Sequence, residues 1–125
     1  MIHALLVDDE EAVLRMLAEL LTQDGFSVVT ATSSAQATAM LAQKEMPDIV
    51  ITDLRMESPL AGFDVVKAAR QMEPRPLIVI LTAFPVPASD WKAAGADALL
   101  VKGQNPLGLS KRLWSLFHEH TSART

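Results

Sequence analysis

The chain has 125 residues, half of them apolar and 21% charged, so it is long enough for one domain with a buried core and is unlike a disordered protein. Its net charge of −4, without a basic stripe, argues against nucleic acid as a direct partner, and the absence of cysteine excludes disulfides and thiolate chemistry. No apolar stretch approaches the roughly 20 residues that span a bilayer and no signal peptide precedes the first strand-like segment, so we expect a cytoplasmic domain without a membrane contact.

Strand-like and helix-like segments alternate five times along the chain. The strand-like segments are short apolar runs, several rich in β-branched residues, at positions 2–7, 27–31, 48–52, 77–81 and 98–101. Helix-like segments lie between them at positions 11–23, 33–43, 63–72 and 88–94, and a last helix follows the fifth strand. Because most of these strands are apolar at nearly every position, the pattern predicts an α/β fold with a parallel sheet covered by helices on both faces.

Residues that favour helix ends support two of these assignments. Ser33, with Gln36 three positions later, fits a capping box at the start of the second helix. Asn105 as N-cap and Pro106 at the first helical position predict the start of the last helix. We expect a single domain over residues 1–120, followed by a polar tail at 121–125 that is frayed.

Polar residues stand at the ends of four predicted strands, where a buried sheet alone does not require them. Asp8 and Asp9 follow the first strand, Asp53 the third, Thr82 the fourth and Lys102 the fifth. The carboxyl ends of parallel strands lie at the same edge of an open sheet, so these five side chains are expected to share one crevice.

These side chains together could bind a metal ion and a phosphoryl group. Two carboxylates roughly 4 Å apart repel each other by about 4 kcal/mol at an effective dielectric constant near 20, and a hard divalent cation such as Mg²⁺ would offset that repulsion. A carboxylate can also attack a phosphoryl group, with the Lys102 ammonium and the Thr82 hydroxyl available to its oxygens. The simpler alternatives are that Asp9 only caps the first helix and that Lys102 is a solvated surface lysine.

The same residues in this order resemble the receiver domain of two-component response regulators. The resemblance extends from Ile2 to about Phe117 and rests on five pieces: Val7-Asp8-Asp9-Glu10, Asp53-Leu54-Arg55-Met56, Leu81-Thr82-Ala83, Gly95-Ala96-Asp97 and Val101-Lys102. It implies a flavodoxin-like, doubly wound sheet of five parallel strands in the order 2-1-3-4-5.

The resemblance also implies a role for each site residue. Asp53 would be the phosphoacceptor, and it would bind Mg²⁺ together with Asp8, Asp9 and the backbone carbonyl of Arg55. Lys102 would pair with Asp53 or its phosphate, and the hydroxyl of the threonine after strand four would act as the switch.

The partners implied by the resemblance are proteins. A sensor histidine kinase or a histidine phosphotransfer protein would donate the phosphate. The output would pass to a protein partner or to a homodimer through the face formed by helix four, strand five and helix five. Because the chain ends soon after the fifth helix, we expect a receiver that acts through such contacts.

Four features depart from the family pattern. Glu57 stands where a proline is usual, and the loop Asp53–Gly62 is one residue longer, so Glu57 is expected to add negative charge near the pocket. Lys102-Gly103 replaces Lys-Pro, which predicts a trans bond, because a cis bond without proline costs roughly 2.5–4 kcal/mol. Leu99 occupies the usual aromatic switch position. The segment 82–95 is short and contains two prolines, so the fourth helix is expected to be short or displaced.

These departures leave two further functions open beside phosphorylation. One is a pseudo-receiver that serves only as an interaction module and is not phosphorylated. The other is a phosphohydrolase with an aspartyl intermediate, although Arg55 occupies the place of the second acid in that motif. Two interpretations of Trp114 remain open: packing at an edge of the fold, or a partner contact near the output face.

Overall fold

The computed structural model describes residues 1–43, 47–103 and 106–124. Within these ranges the chain forms, in order, β1 Ile2–Val7, α1 Glu11–Gln23, β2 Phe26–Ala31, α2 Ser34–Ala42, β3 Ile49–Thr52, α3 Gly62–Arg70, β4 Leu77–Thr82, α4 Ala88–Ala94, β5 Ala98–Val101, a 3-10 turn Pro106–Gly108 and α5 Leu109–Arg124. The alternation of strands and helices that the apolar runs predicted is therefore confirmed. The largest difference before the last helix is at the end of α3, which stops at Arg70 rather than at Met72.

The five strands of the described residues form one parallel sheet in the order β2-β1-β3-β4-β5. This confirms the α/β fold and the strand order that the resemblance implied. The register sets Val7 beside Thr52 on β3 and beside Ala31 on β2, and it sets Thr82 beside Val101 on β5. The carboxyl ends of the strands therefore meet at one edge of the sheet.

The sheet has an apolar layer on each face, because successive side chains of a strand point to opposite sides. Leu6 of β1 packs with α1 and α5, whereas Leu5 packs with α2 and α3. The β3 and β4 strands are buried at every position, which explains their continuous apolar sequences. Of the helices in the described ranges, none combines the length and the apolar character that crossing a bilayer requires.

The helix ends follow the predictions in part. The Ser33 hydroxyl accepts a hydrogen bond from the backbone N–H of Gln36 at 3.0 Å, as a capping box requires. The Gln36 side chain accepts from the N–H of Thr32 at 2.7 Å, one residue before the N-cap, so the reciprocal half of the box is shifted. The predicted cap at Asn105 lies outside the described residues, and Pro106 begins a 3-10 turn, with α5 itself starting at Leu109.

Residues 121–124 continue α5, in the segment where the sequence predicts a frayed tail from Thr121 onward. The Thr121 hydroxyl donates to the carbonyl of Phe117 at 3.0 Å, within the helix. One residue earlier, His120 Nε2 lies 2.8 Å from the carbonyl of Arg75, which ties this end of α5 to the segment before β4. A polar composition does not reveal such a long-range hydrogen bond.

Two expected departures from the family are visible in the backbone. The cis peptide bond within the described ranges joins Glu73 and Pro74, so the Lys102–Gly103 bond is trans as predicted. Gly103 has φ +83°, a left-handed conformation that glycine adopts without a steric penalty. Helix α4 has only seven residues, which confirms the prediction of a short fourth helix.

Candidate functional site

Three carboxylates from two neighbouring strands lie together at the carboxyl edge of the sheet. Asp8, Asp9 and Asp53 each place an oxygen within 4.8 Å of the others. The strand register produces this cluster, because the N–H of Asp53 donates to the carbonyl of Val7 at 2.9 Å and so continues the β1–β3 ladder by one residue. Asp8 is 2% and Asp53 6% exposed, whereas Asp9 is open to solvent.

The cluster is not explained by helix capping. The N-cap of α1 is Glu10, whose side chain makes no capping hydrogen bond, so the alternative that Asp9 serves only as an N-cap is wrong. The Asp8 carboxylate accepts from the N–H of Glu10 at 3.0 Å through Oδ1, which leaves Oδ2 directed at other groups. A set of carboxylate oxygens at this spacing suits a hard divalent cation such as Mg²⁺.

Lys102 lies between the two buried carboxylates. Its Nζ is 2.6 Å from Asp8 Oδ2 and 2.7 Å from Asp53 Oδ2, and its side chain is only 14% exposed. The alternative of a solvated surface lysine is therefore wrong. Burial lowers the pKa of Lys102, but the hydrogen bonds and charges of Asp53 and Asp8 outweigh that effect and raise the pKa above 10.5.

Both oxygens of Asp53 have partners. Oδ1 accepts from the backbone N–H of Leu54 at 2.7 Å, and Oδ2 accepts from Lys102. The start of α3 packs directly against this position, since a side chain at Gly62 would collide with the carbonyl oxygen of Asp53. The Asp53 carboxylate is thus held by one hydrogen bond to each oxygen, and Gly62 packs closely against the backbone of the same residue.

Thr82 is fully buried at the end of β4, next to the strand that carries Asp53. Its hydroxyl accepts from the N–H of Phe84 at 3.1 Å, so the hydroxyl is linked to the first residues of the following loop. The guanidinium of Arg55 lies 4.4 Å from the ring centroid of Phe84, which is 57% exposed. This cation–π contact joins the two loops beside Asp53 and was not predicted from the sequence, because Phe84 carries no spacing signal.

Glu57 does not take the place that the sequence analysis expected. Its carboxylate accepts hydrogen bonds from the N–H groups of Ser34 and Ala35 at the start of α2, at 2.9 and 3.1 Å. The acidic cluster of the described residues contains the three aspartates and not Glu57. The expectation that Glu57 adds charge to the pocket is therefore corrected: its charge is directed at the α2 N-terminus.

Trp114 packs at an edge of the fold, as one of the two alternatives proposed. Its ring centroid is 6.0 Å from that of Phe26, which belongs to the apolar layer of α1 and α5, and it stacks on His118 at 5.4 Å. The residue remains 40% exposed. Trp91, by contrast, packs against the layer on the opposite face of the sheet.

Residues 4–113 match the family model described as the response regulator receiver domain. The chain belongs to this family. The receiver domain is 41% identical over 104 residues to the alginate biosynthesis transcriptional regulatory protein AlgB of Pseudomonas aeruginosa, covering 82% of this chain and 23% of AlgB. The chain thus spans less than a quarter of the length of that regulator.

Solved structures give the same result. The receiver domain superposes on the chemotaxis response regulator CheY4 of Vibrio cholerae with a TM-score of 0.81 and 35% identity, covering 93% of this chain and 98% of the other. It superposes on the response regulator TrrA of Thermotoga maritima, in complex with Mg²⁺-BeF, with a TM-score of 0.80 and 29% identity, covering 93% and 99%. The phosphoacceptor function of the family fits this chain, and the pseudo-receiver alternative is not supported over it.

Proposed function

We propose that Asp53 is the phosphoacceptor of this receiver domain, and that Asp8, Asp9, Asp53 and the backbone carbonyl of Arg55 hold Mg²⁺. The observation that carries the proposal is the convergence of three carboxylates within 4.8 Å around a lysine ammonium. All of these groups come from strand ends or the residues just after them, so the sheet fixes their relative positions. The donor set consists of oxygens, which fits a hard cation.

The chemistry assigned to the chain is transfer of a phosphoryl group to a carboxylate. An oxygen of Asp53 forms a bond to phosphorus while the N–P bond of a phosphohistidine breaks, and the imidazole keeps the electron pair. Mg²⁺ supplies positive charge that offsets the charge on the phosphoryl oxygens. Lys102 already lies 2.7 Å from Asp53 and serves the same purpose, and Thr82 supplies the switch hydroxyl.

The proposed partners follow from the family. A sensor histidine kinase or a histidine phosphotransfer protein donates the phosphate in the cytoplasm, and a protein partner or a second copy binds the face of α4, β5 and α5. The expectation that no nucleic acid is involved does not extend to a whole protein, because AlgB is a transcriptional regulatory protein much longer than this chain. We further propose that the domain acts as a phosphoacceptor rather than as a phosphohydrolase.

Intact mass spectrometry after treatment with an acyl-phosphate donor and Mg²⁺ tests the proposal. We expect one added phosphate on the wild-type chain, and none on Asp53→Asn or when Mg²⁺ is chelated. The control is Asp64→Asn, which removes an exposed carboxylate from the first turn of α3 and should leave phosphorylation intact. No added mass from the donor or from a cognate kinase would refute the proposal, and so would phosphate that remains on Asp53→Asn.

A further inference from the structure

Glu57 links two parts of the fold that are far apart in sequence: the loop between β3 and α3, and the start of α2. Each of its two oxygens accepts a backbone hydrogen bond, one from Ser34 at 2.9 Å and one from Ala35 at 3.1 Å. The first turn of α2 contains no acidic residue. Glu57 therefore supplies, from a segment more than 20 residues away, the negative charge that a helix N-terminus favours.

The carboxylate is ionised under ordinary conditions. Burial raises the pKa of Glu57, but hydrogen bonds from backbone N–H groups, those of Ser34, Glu57 itself and Ala35, outweigh burial and lower the pKa to about 2. The link between the loop and α2 is thus a pair of charge-assisted hydrogen bonds at neutral pH. Such bonds are shorter and stronger than those between neutral groups.

The loop that Glu57 holds is the one that follows the acceptor. Its base is closed by the N–H of Gly62, which donates to the carbonyl of Leu54 at 2.9 Å. Within the loop, the N–H of Met56 donates to the carbonyl of Ser58 at 3.1 Å, so the residues around Glu57 form a turn of their own. Residues 57–60 of this loop are exposed, whereas Met56 packs against the apolar layer of α2 and α3. The link from Glu57 to α2 therefore restrains the exposed part of the loop.

We propose that Glu57 is a positioning residue for the metal site, which fixes the Arg55 carbonyl relative to the three aspartates by holding the loop on α2. The inference rests on the proposed function, because it takes the Arg55 carbonyl as a metal ligand. Arg55 lies two residues before Glu57 and directly precedes the turn, so movement of the turn moves that carbonyl. The family's usual proline restricts this loop through its own ring, and Glu57 restricts it instead by an external contact.

A comparison of two α2 caps separates positioning from simple helix stabilisation. Glu57→Ala removes the cap and also releases the loop. Ser33→Ala removes the other cap of α2, the 3.0 Å bond from Gln36, and leaves the loop untouched. Calorimetric titration with Mg²⁺ alone should show affinity reduced about tenfold in Glu57→Ala, the size typical for a group that orients a metal ligand, and unchanged in Ser33→Ala. Glu57→Gln keeps one acceptor oxygen, so its Mg²⁺ affinity should lie between those of wild type and Glu57→Ala.

A second readout does not depend on the metal. In Mg²⁺-free buffer, amide hydrogen exchange at Ser34 and Ala35 should be faster in Glu57→Ala than in wild type, because both N–H groups lose their acceptor. If the alanine variant does not fold, Glu57→Gln carries both measurements. The outcomes are distinct: wild type that binds no Mg²⁺ overturns the proposed metal site and this inference with it. If wild type binds Mg²⁺ and both Glu57→Ala and Glu57→Gln bind it with the same affinity, only the positioning role is overturned.

Discussion

Replacing Lys102 by methionine should destabilise the domain and make its stability more dependent on Mg²⁺. The substitution keeps a side chain of similar length but removes the ammonium that lies 2.6 Å from Asp8 and 2.7 Å from Asp53. Both carboxylates are nearly inaccessible to water, at 3% and 6% side-chain exposure, so solvent cannot replace the lost partner. Three carboxylates then remain within 4.8 Å without a cation.

The size of the effect can be worked from these distances. At an effective dielectric constant near 20, each ion pair at this separation is worth about 6 kcal/mol of Coulomb energy, most of which offsets the desolvation of the charges. Breaking a buried pair by removing one partner costs about 3–5 kcal/mol, because the remaining charge is left uncompensated. We expect the lower end of that range, about 3 kcal/mol, since Asp9 at the mouth of the cluster is exposed.

Urea unfolding in EDTA and in Mg²⁺, followed by tryptophan fluorescence, measures both parts of the prediction. Ligands that bind only the folded state stabilise it in proportion to the logarithm of their concentration over the Kd. Mg²⁺ should therefore restore much of the free energy of unfolding that Lys102→Met loses, and it should stabilise wild type by a smaller amount. Lys111→Met, which removes an exposed lysine of α5, should change neither value. Equal stability of Lys102→Met and wild type in EDTA, or equal stabilisation of both by Mg²⁺, would refute the reasoning.

Three further substitutions test other parts of the structure. The pKa of Glu57 is lowered from 4.5 to about 2, so wild type should be more stable than Glu57→Gln above pH 4.5, and this difference should disappear as the pH falls toward 2. A difference in urea unfolding that does not change with pH would contradict this. Asp97→Ala removes the acceptor of a 2.7 Å ion pair with Arg75 and should lower the free energy of unfolding by about 1–3 kcal/mol. The Mg²⁺ affinity measured by calorimetry should not change, and a loss of affinity would show that the two ends of the sheet are coupled. Gly62→Ala places a methyl group against the carbonyl of Asp53 and should cost about 1–3 kcal/mol, so an unchanged urea midpoint would show that α3 moves away freely.

Most of the fold and the acidic cluster could be predicted because they depend on patterns that repeat along the chain. Strands buried on both faces leave continuous apolar runs, and such runs separated by helices leave little choice but a parallel sheet. The position of a residue just after a strand then fixes its edge of the sheet. Asp8 and Asp53 were therefore placed together from sequence, and the register of Val7 with Thr52 confirms this.

The contacts that sequence could not supply join segments by single side chains. Nothing in the spacing of Glu57 indicates that it reaches Ser34, because the two residues are 23 positions apart and a helix and a strand lie in that stretch. The same holds for the stacking of Arg55 on Phe84. The contact of His120 near the end of α5 with the carbonyl of Arg75 likewise joins distant segments, and polar composition alone does not indicate it.

The geometry of Lys102 also bears on how the proposed phosphorylation can change the domain. One ammonium is shared between Asp8 and Asp53, and it cannot stay equally bonded to both once Asp53 carries a phosphoryl group, which adds roughly −1.5 to −2 charge. We expect Lys102 to follow the larger charge, which leaves Asp8 to the proposed Mg²⁺. The backbone N–H of Lys102 donates to the carbonyl of Thr82 at 2.9 Å, so Lys102 contacts the end of β4 as well as the two carboxylates. The proposed switch residue Thr82 and the proposed acceptor Asp53 are thus both bonded to Lys102, and this connection does not involve Leu99.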